Sequence, residues 1–240
     1  MTLICFASQK GSPGATLTSL AVAASFPAKN GRRKILLEAD STGGTLALRY
    51  QLPTEPGLLT LAAAIRSSQD PELLWQHSQQ LPGGLSIVAC PDGADQVHAA
   101  LAASGTSLGR WLEGLPDVDV ICDVGRLAPH SPAIDFVAEA SAVLMVARPS
   151  VEQLQPAARR MTALTPDVEN IGWVLIGDSP YGPADVESAY GMPVVGIIAD
   201  DVRAANKLES GVVSTKLTRS PLVRSAGSLA EVLALSLIHI

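Results

Sequence analysis

The chain has 240 residues, 47% hydrophobic and 17% charged, with a net charge of −6. That apolar content suffices for one large α/β domain with a sizeable core and excludes a disordered chain. The negative balance excludes a globally basic binder of nucleic acid or acidic lipid and leaves room only for local basic patches.

In chain order, the apolar run Leu3–Ala7 predicts a first strand. It leads into Gln9-Lys10-Gly11-Ser12-Pro13-Gly14-Ala15-Thr16 and then a helix over Thr16–Ser25. Strand, glycine turn and helix form the layout of a phosphate-binding loop. Gly11 and Gly14 permit positive φ, and the helix N-terminus suits an anion. Where such a loop reads Gly-Lys-Thr, this one reads Gly14-Ala15-Thr16, and a lysine stands earlier, at Lys10. Thr16 keeps the hydroxyl that ligates Mg²⁺ in these loops.

A second strand, Lys34–Glu38, ends in Glu38-Ala39-Asp40, two carboxylates two apart at a strand end. Helices follow over Gly57–Arg66 and Pro71–Gln79, a strand over Leu85–Cys90 and a helix over Ala94–Ala103. The strand Val118–Asp123 is apolar and ends in Asp123, the form of a Walker B carboxylate facing Mg²⁺ directly or through water. The bland alternatives are a solvated strand end for Glu38 and Asp40, and a turn-capping carboxylate for Asp123. Beyond it lie a helix Ser131–Glu139, a strand Ala142–Ala147 and a helix Val151–Leu164 opened by a capping-box pattern at Ser150 and Gln153. The last elements are strands Ile171–Ile176 and Pro193–Ile198 and helices Ala184–Tyr190 and Ser228–Ala234.

These strands are near-continuous Val/Ile/Leu runs, as in a parallel sheet covered on both faces. The β-α alternation predicts an α/β fold, a single doubly wound, mostly parallel sheet with helices on both faces, over residues 1–235. Ligands of such sheets bind at the carboxyl ends of the strands, where the glycine loop, Glu38 with Asp40, and Asp123 all fall. Cys5, Cys90 and Cys122 sit in separate apolar runs and read as reduced core thiols. The four histidines are scattered without metal or triad spacing. No export signal or membrane-length apolar run is present, so a soluble cytoplasmic protein is expected. Five of the seventeen Lys and Arg residues fall within 22 positions: Arg203, Lys207, Lys216, Arg219 and Arg224. Asp200, Asp201 and Glu209 dilute them, so an ordinary solvated face competes with a DNA-binding rim.

Lys10-Gly11 in the loop, Glu38-x-Asp40 after the second strand and Asp123 after a later one resemble the ParA/MinD family of deviant-Walker P-loop ATPases. The later segments Val143–Val146 with Arg148-Pro149-Ser150, Val174–Gly177 and Val195–Asp201 fit as well, so the resemblance runs from Met1 to about Ala234. It implies a homodimer that sandwiches two ATP or ADP molecules with Mg²⁺. Lys10, Gly11, Ser12, Pro13, Gly14, Ala15, Thr16 and Leu17 would then bind nucleotide, and Lys10 would reach the partner's phosphates. Thr16, Glu38 and Asp123 would serve the metal, and Asp40 would help activate the attacking water. The family also implies a cargo or adaptor protein as partner, with DNA as a further partner through the late basic residues. No membrane partner is expected, because the tail carries no Lys or Arg after Arg224. Ser236–Ile240 reads as a non-native tail.

The departures from the family pattern bear on activity. Ala15 replaces the lysine that grips the β/γ-phosphates, a loss of charge-assisted hydrogen bonds of roughly 1.5–3 kcal/mol each, or about one to two orders of magnitude in affinity. Pro13 has no N–H to offer a phosphate. Glu38 stands for an aspartate, Gly177 for an adenine-holding Asn, and Ala199 for a proline. Two readings follow: a nucleotide-linked dimerising switch that is at most a weak ATPase, or a pseudo-ATPase scaffold that forms dimers or filaments without nucleotide. An amidoligase or synthetase has no visible second substrate site.

Overall fold

The structure is a computed structural model that describes residues 2–10, 14–28, 31–210 and 217–236. Gly11, Ser12, Pro13, Lys216 and the end of the tail lie outside the described residues.

Eight strands form one sheet: β1 (Thr2–Ser8), β2 (Arg33–Glu38), β3 (Gln79–Gln80), β4 (Ser86–Val88), β5 (Val118–Arg126), β6 (Ala142–Ala147), β7 (Ile171–Ile176) and β8 (Val194–Ile198). Their order is β3-β4-β2-β5-β1-β6-β7-β8, and every pairing is parallel except that of β3 with β4. The described helices are α1 (Ala15–Ser25), α2 (Leu46–Tyr50), α3 (Leu58–Ala64), α4 (Leu73–Gln76), α5 (Ala94–Glu113), α6 (Ala133–Val137), α7 (Val151–Leu164), α8 (Pro183–Tyr190), α9 (Val202–Glu209) and α10 (Pro221–Ser236).

Alternation along the buried strands splits the core in two. Leu3, Cys5 and Ala7 of β1 join Val120 and Cys122 of β5 in a cluster closed by α3, α5, α6 and α7. Ile4 and Phe6 join Ile121 and Leu144 in a second cluster beneath α1, α2 and α10. The doubly wound sheet read from the sequence is thus the observed architecture. The three cysteines are free and buried, as expected of core thiols.

The differences fall at short or polar pieces. The two-residue β3, α2 and α9 carry no sequence signal strong enough to be read, α5 runs ten residues past the expected Ala103, and α10 starts at Pro221 rather than Ser228. Ser150 does precede α7, but its side chain makes no cap bond; the Gln153 side chain instead accepts from the Arg148 N–H at 2.8 Å. The strand expected to end at Asp123 continues to Arg126, and a bulge shifts its register against β1 between Phe6 and Ala7. Bulges re-aim side chains at sheet rims, and this one sits beside the candidate site.

Candidate functional site: a cavity above the glycine loop

The carboxyl ends of β1, β2, β5, β6 and β8 surround one cavity of about 640 Å³. Gly14, Ala15, Thr16 and Leu17 form its floor at the start of α1. Gly14 has φ +100, a left-handed conformation that glycine adopts without strain. Its carbonyl accepts the first α1 bond, from the Thr18 N–H at 2.9 Å. Ala15 is buried and brings no charge.

Asp123 lies under this floor, fully buried. Its Oδ1 accepts from the Gly125 N–H at 3.0 Å, and Oδ2 has no hydrogen-bond partner among the described residues. Burial pushes its pKa up to about 6, against the pull of the nearby Thr16 hydroxyl, the Gly125 N–H and the Arg49 guanidinium. An orphaned carboxylate oxygen beside a threonine hydroxyl is an oxygen donor pair of the kind Mg²⁺ takes, with waters and phosphates completing the shell. The residues present therefore fit the metal.

Glu38 pairs with Asp123 in register on the neighbouring strand, yet it faces another task. Its Oε1 accepts from the Thr45 and Leu46 N–H groups at 2.7 and 3.1 Å, and its Oε2 from the Cys90 N–H at 3.2 Å. The carboxylate thus ties the N-terminus of α2 to the end of β4. Burial drives its pKa up to about 7, with Asp123 adding to the rise and the three N–H donors opposing it. Gly44 makes room: a Cβ there would sit 2.5 Å from Oε2 and 2.3 Å from the Cys90 carbonyl.

Asp40 lines the cavity, with Oδ1 held by the Thr42 N–H and hydroxyl at 2.8 and 2.7 Å. Burial raises its pKa, and the Thr42 bonds oppose the rise. Its Oδ2 lies against Gly125, which has φ +62 and where a Cβ would meet that oxygen. Lys10 is exposed just after β1, and its charge reaches Glu152 at the start of α7.

Two arginines that no motif marks also line the cavity, Arg49 from α2 and Arg126 from the end of β5, together with Arg148 of the Arg148-Pro149-Ser150 segment after β6. Arg148 is paired with Asp200 through two bonds of 2.5 and 3.1 Å, which hold that carboxyl below its ordinary range. Arg126 donates Nε to the Gln9 carbonyl at 3.3 Å. Arg203, Lys207, Arg219 and Arg224 are exposed on and near α9 and α10, beyond the rim. Among the described residues no group of three or more His, Cys, Asp or Glu side chains forms a metal cluster, and no helix is long and apolar enough to cross a membrane.

No protein-family model matches this sequence, and no curated protein sequence matches it. Solved structures do match in fold. A ParA family ATPase from Chlorobium tepidum superposes with TM-score 0.80 at 17% identity, covering 96% of this chain and 97% of its own. The septum site-determining protein MinD from Pyrococcus horikoshii, complexed with Mg-ADP, gives 0.76 at 19% identity, covering 99% and 98%. Cobyrinic acid a,c-diamide synthase from Mycobacterium smegmatis, with bound ATP analogue and magnesium, gives 0.61 at 17% identity, covering 98% and 94%. The chain has the ParA/MinD-like P-loop fold over nearly its whole length.

Proposed function

We propose that this protein is a positioning or partition factor of the ParA/MinD type, a homodimer whose assembly is linked to nucleotide and whose ATP hydrolysis is weak or absent. The observation that carries the reading is the orphaned Asp123 Oδ2 beside Thr16, beneath a glycine-led helix start. Thr16 and Asp123 would hold Mg²⁺, which supplies charge neutralisation to a bound polyphosphate. Glu38, whose oxygens already accept from three N–H groups, would serve the metal indirectly, through the position of β2.

The described part of the loop, Gly14 to Leu17, would receive phosphates on its N–H groups, with Gly11, Ser12 and Pro13 completing it. Lys10, exposed, would reach a second copy's phosphates. Asp40, its Oδ1 held by Thr42, would orient the attacking water. Arg203, Lys207, Lys216, Arg219 and Arg224 would offer a rim to DNA, and a cargo or adaptor protein would read the dimer.

Ala15 favours the second reading, a scaffold assembling without nucleotide, because it removes the usual phosphate-gripping cation. Light-scattering mass of the purified protein without nucleotide and with ATP-Mg²⁺, alongside phosphate release, separates the two. A mass that doubles only with ATP, with little phosphate released, is the expected result. A mass indifferent to ATP supports the scaffold.

A further inference from the structure

Ala15 leaves the start of α1 without a cation, yet Arg49 enters the same cavity from a different element. Arg49 differs from the two other arginines there. Arg148 is paired with Asp200 through two bonds, and Arg126 donates to the Gln9 carbonyl. Arg49 Nη1 is shut off from solvent and has no hydrogen-bond partner among the described residues. Its ion-pair partner Glu209, on α9, stands 3.9 Å away, beyond hydrogen-bond reach. An enclosed guanidinium N–H without a partner is costly, and the planar donor fork of arginine matches phosphate. Arg49 is also within electrostatic reach of Asp123, and therefore near the point where Thr16 and Asp123 converge.

We propose that Arg49 supplies the phosphate-binding cation that Ala15 lacks, turning from Glu209 to the polyphosphate of a nucleoside di- or triphosphate. This rests on the reading of the cavity as a nucleotide site. It also gives a nucleotide a handle on α9. The neighbouring Tyr50 hydroxyl donates to the Leu208 carbonyl at 2.9 Å, so α2 and α9 are joined by that bond and by the Arg49–Glu209 pair. A phosphate that draws Arg49 away weakens the second link.

The test titrates the full chain with fluorescent N-methylanthraniloyl-ADP and Mg²⁺, using wild type, Arg49→Ala, Arg49→Lys, Glu209→Gln and the double variant Arg49→Ala/Ala15→Lys. Arg49→Ala is expected to weaken binding about ten- to hundredfold, the scale of a lost charge-assisted contact. Arg49→Lys should recover part of it, Glu209→Gln should tighten binding by removing the competing carboxylate, and Ala15→Lys should restore affinity in the Arg49→Ala background. If Arg49→Ala does not fold, Glu209→Gln decides. Wild type binding with neither Arg49→Ala nor Glu209→Gln changing affinity overturns the role of Arg49 and leaves the nucleotide reading intact. Wild type failing to bind the probe at millimolar concentration overturns both.

Discussion

Asp123 and Glu38 are buried side by side on adjacent strands, and their surroundings predict unequal responses to the same kind of substitution. Burial lifts Asp123 from 3.8 to about 6 and Glu38 from 4.5 to about 7. The folded chain therefore holds these protons more tightly than the unfolded one. The resulting stability is full below the ordinary carboxylate values and is lost as pH rises through about 6 to 7. Asp123→Asn keeps the acceptor for the Gly125 N–H and removes the charge whose second oxygen has no partner. At pH 8, without nucleotide, this variant is expected to melt above wild type, by a free energy on the order of 3 kcal/mol at most. The advantage should shrink as the pH falls towards 4. Thermal melts at pH 4, 6 and 8 check it, and a lower melting temperature at pH 8 would contradict the charge argument. Glu38→Gln meets an opposing term. It also removes a buried charge at pH 8, but all three Glu38 bonds come from N–H donors, so an amide NH₂ there faces a donor. One unmet buried donor costs about 1–3 kcal/mol, so Glu38→Gln should gain less at pH 8 than Asp123→Asn in the same melts.

At the scale of elements, α2 and α9 are held in place by contacts that lie outside their own sequences. In α9 only Ala204 is buried, and α2 has five residues with Leu48 largely exposed. Their ends are fixed instead by Glu38 on the Thr45 and Leu46 N–H groups and by Asp201, which accepts from the Ala204 N–H at 3.0 Å. Tyr50→Phe removes the hydroxyl bond to Leu208 and should cost about 1 kcal/mol. Hydrogen exchange should quicken over 202–209 and stay unchanged in α1; uniform quickening would mean that the bond supports the whole domain instead. The same contrast explains what was legible in the sequence. Each core strand is a self-contained apolar run, so β1, β2, β5, β6 and β7 could be read along with their order of alternation. Thr16, Asp40 and Asp123 could be gathered at one sheet edge because strand-end ligation follows from topology. Arg49 and Arg126 could not, since they reach the cavity from different elements and share no spacing. Nor could the engagement of Glu38, which depends on the backbone of Thr45, Leu46 and Cys90 arriving at its oxygens.

For the molecule as a whole, the question is whether two copies meet through their ligands or through their surfaces, and Lys10 separates the cases. Each copy carries a net charge of −6, so long-range electrostatics oppose association. Added polyphosphates deepen that repulsion unless a cation from the opposite copy meets them. Lys10 is exposed and stands just after β1, at the start of the glycine loop. If nucleotide joins the copies, Lys10→Ala removes a cation that matters only once phosphates are present. The variant should then match wild type in mass without nucleotide and show a reduced dimer fraction with ATP-Mg²⁺, while each monomer still binds nucleotide through its own loop and Arg49. If the surfaces alone join them, wild type is already dimeric without nucleotide, and Lys10→Ala leaves the mass unchanged under both conditions. Sedimentation-velocity runs on both proteins, with and without ATP-Mg²⁺, read the two patterns directly. Because the substitution lies on an exposed side chain, a change confined to the nucleotide-bound samples cannot come from damage to the core; it assigns the lysine's work to the charge of a ligand held by the facing copy.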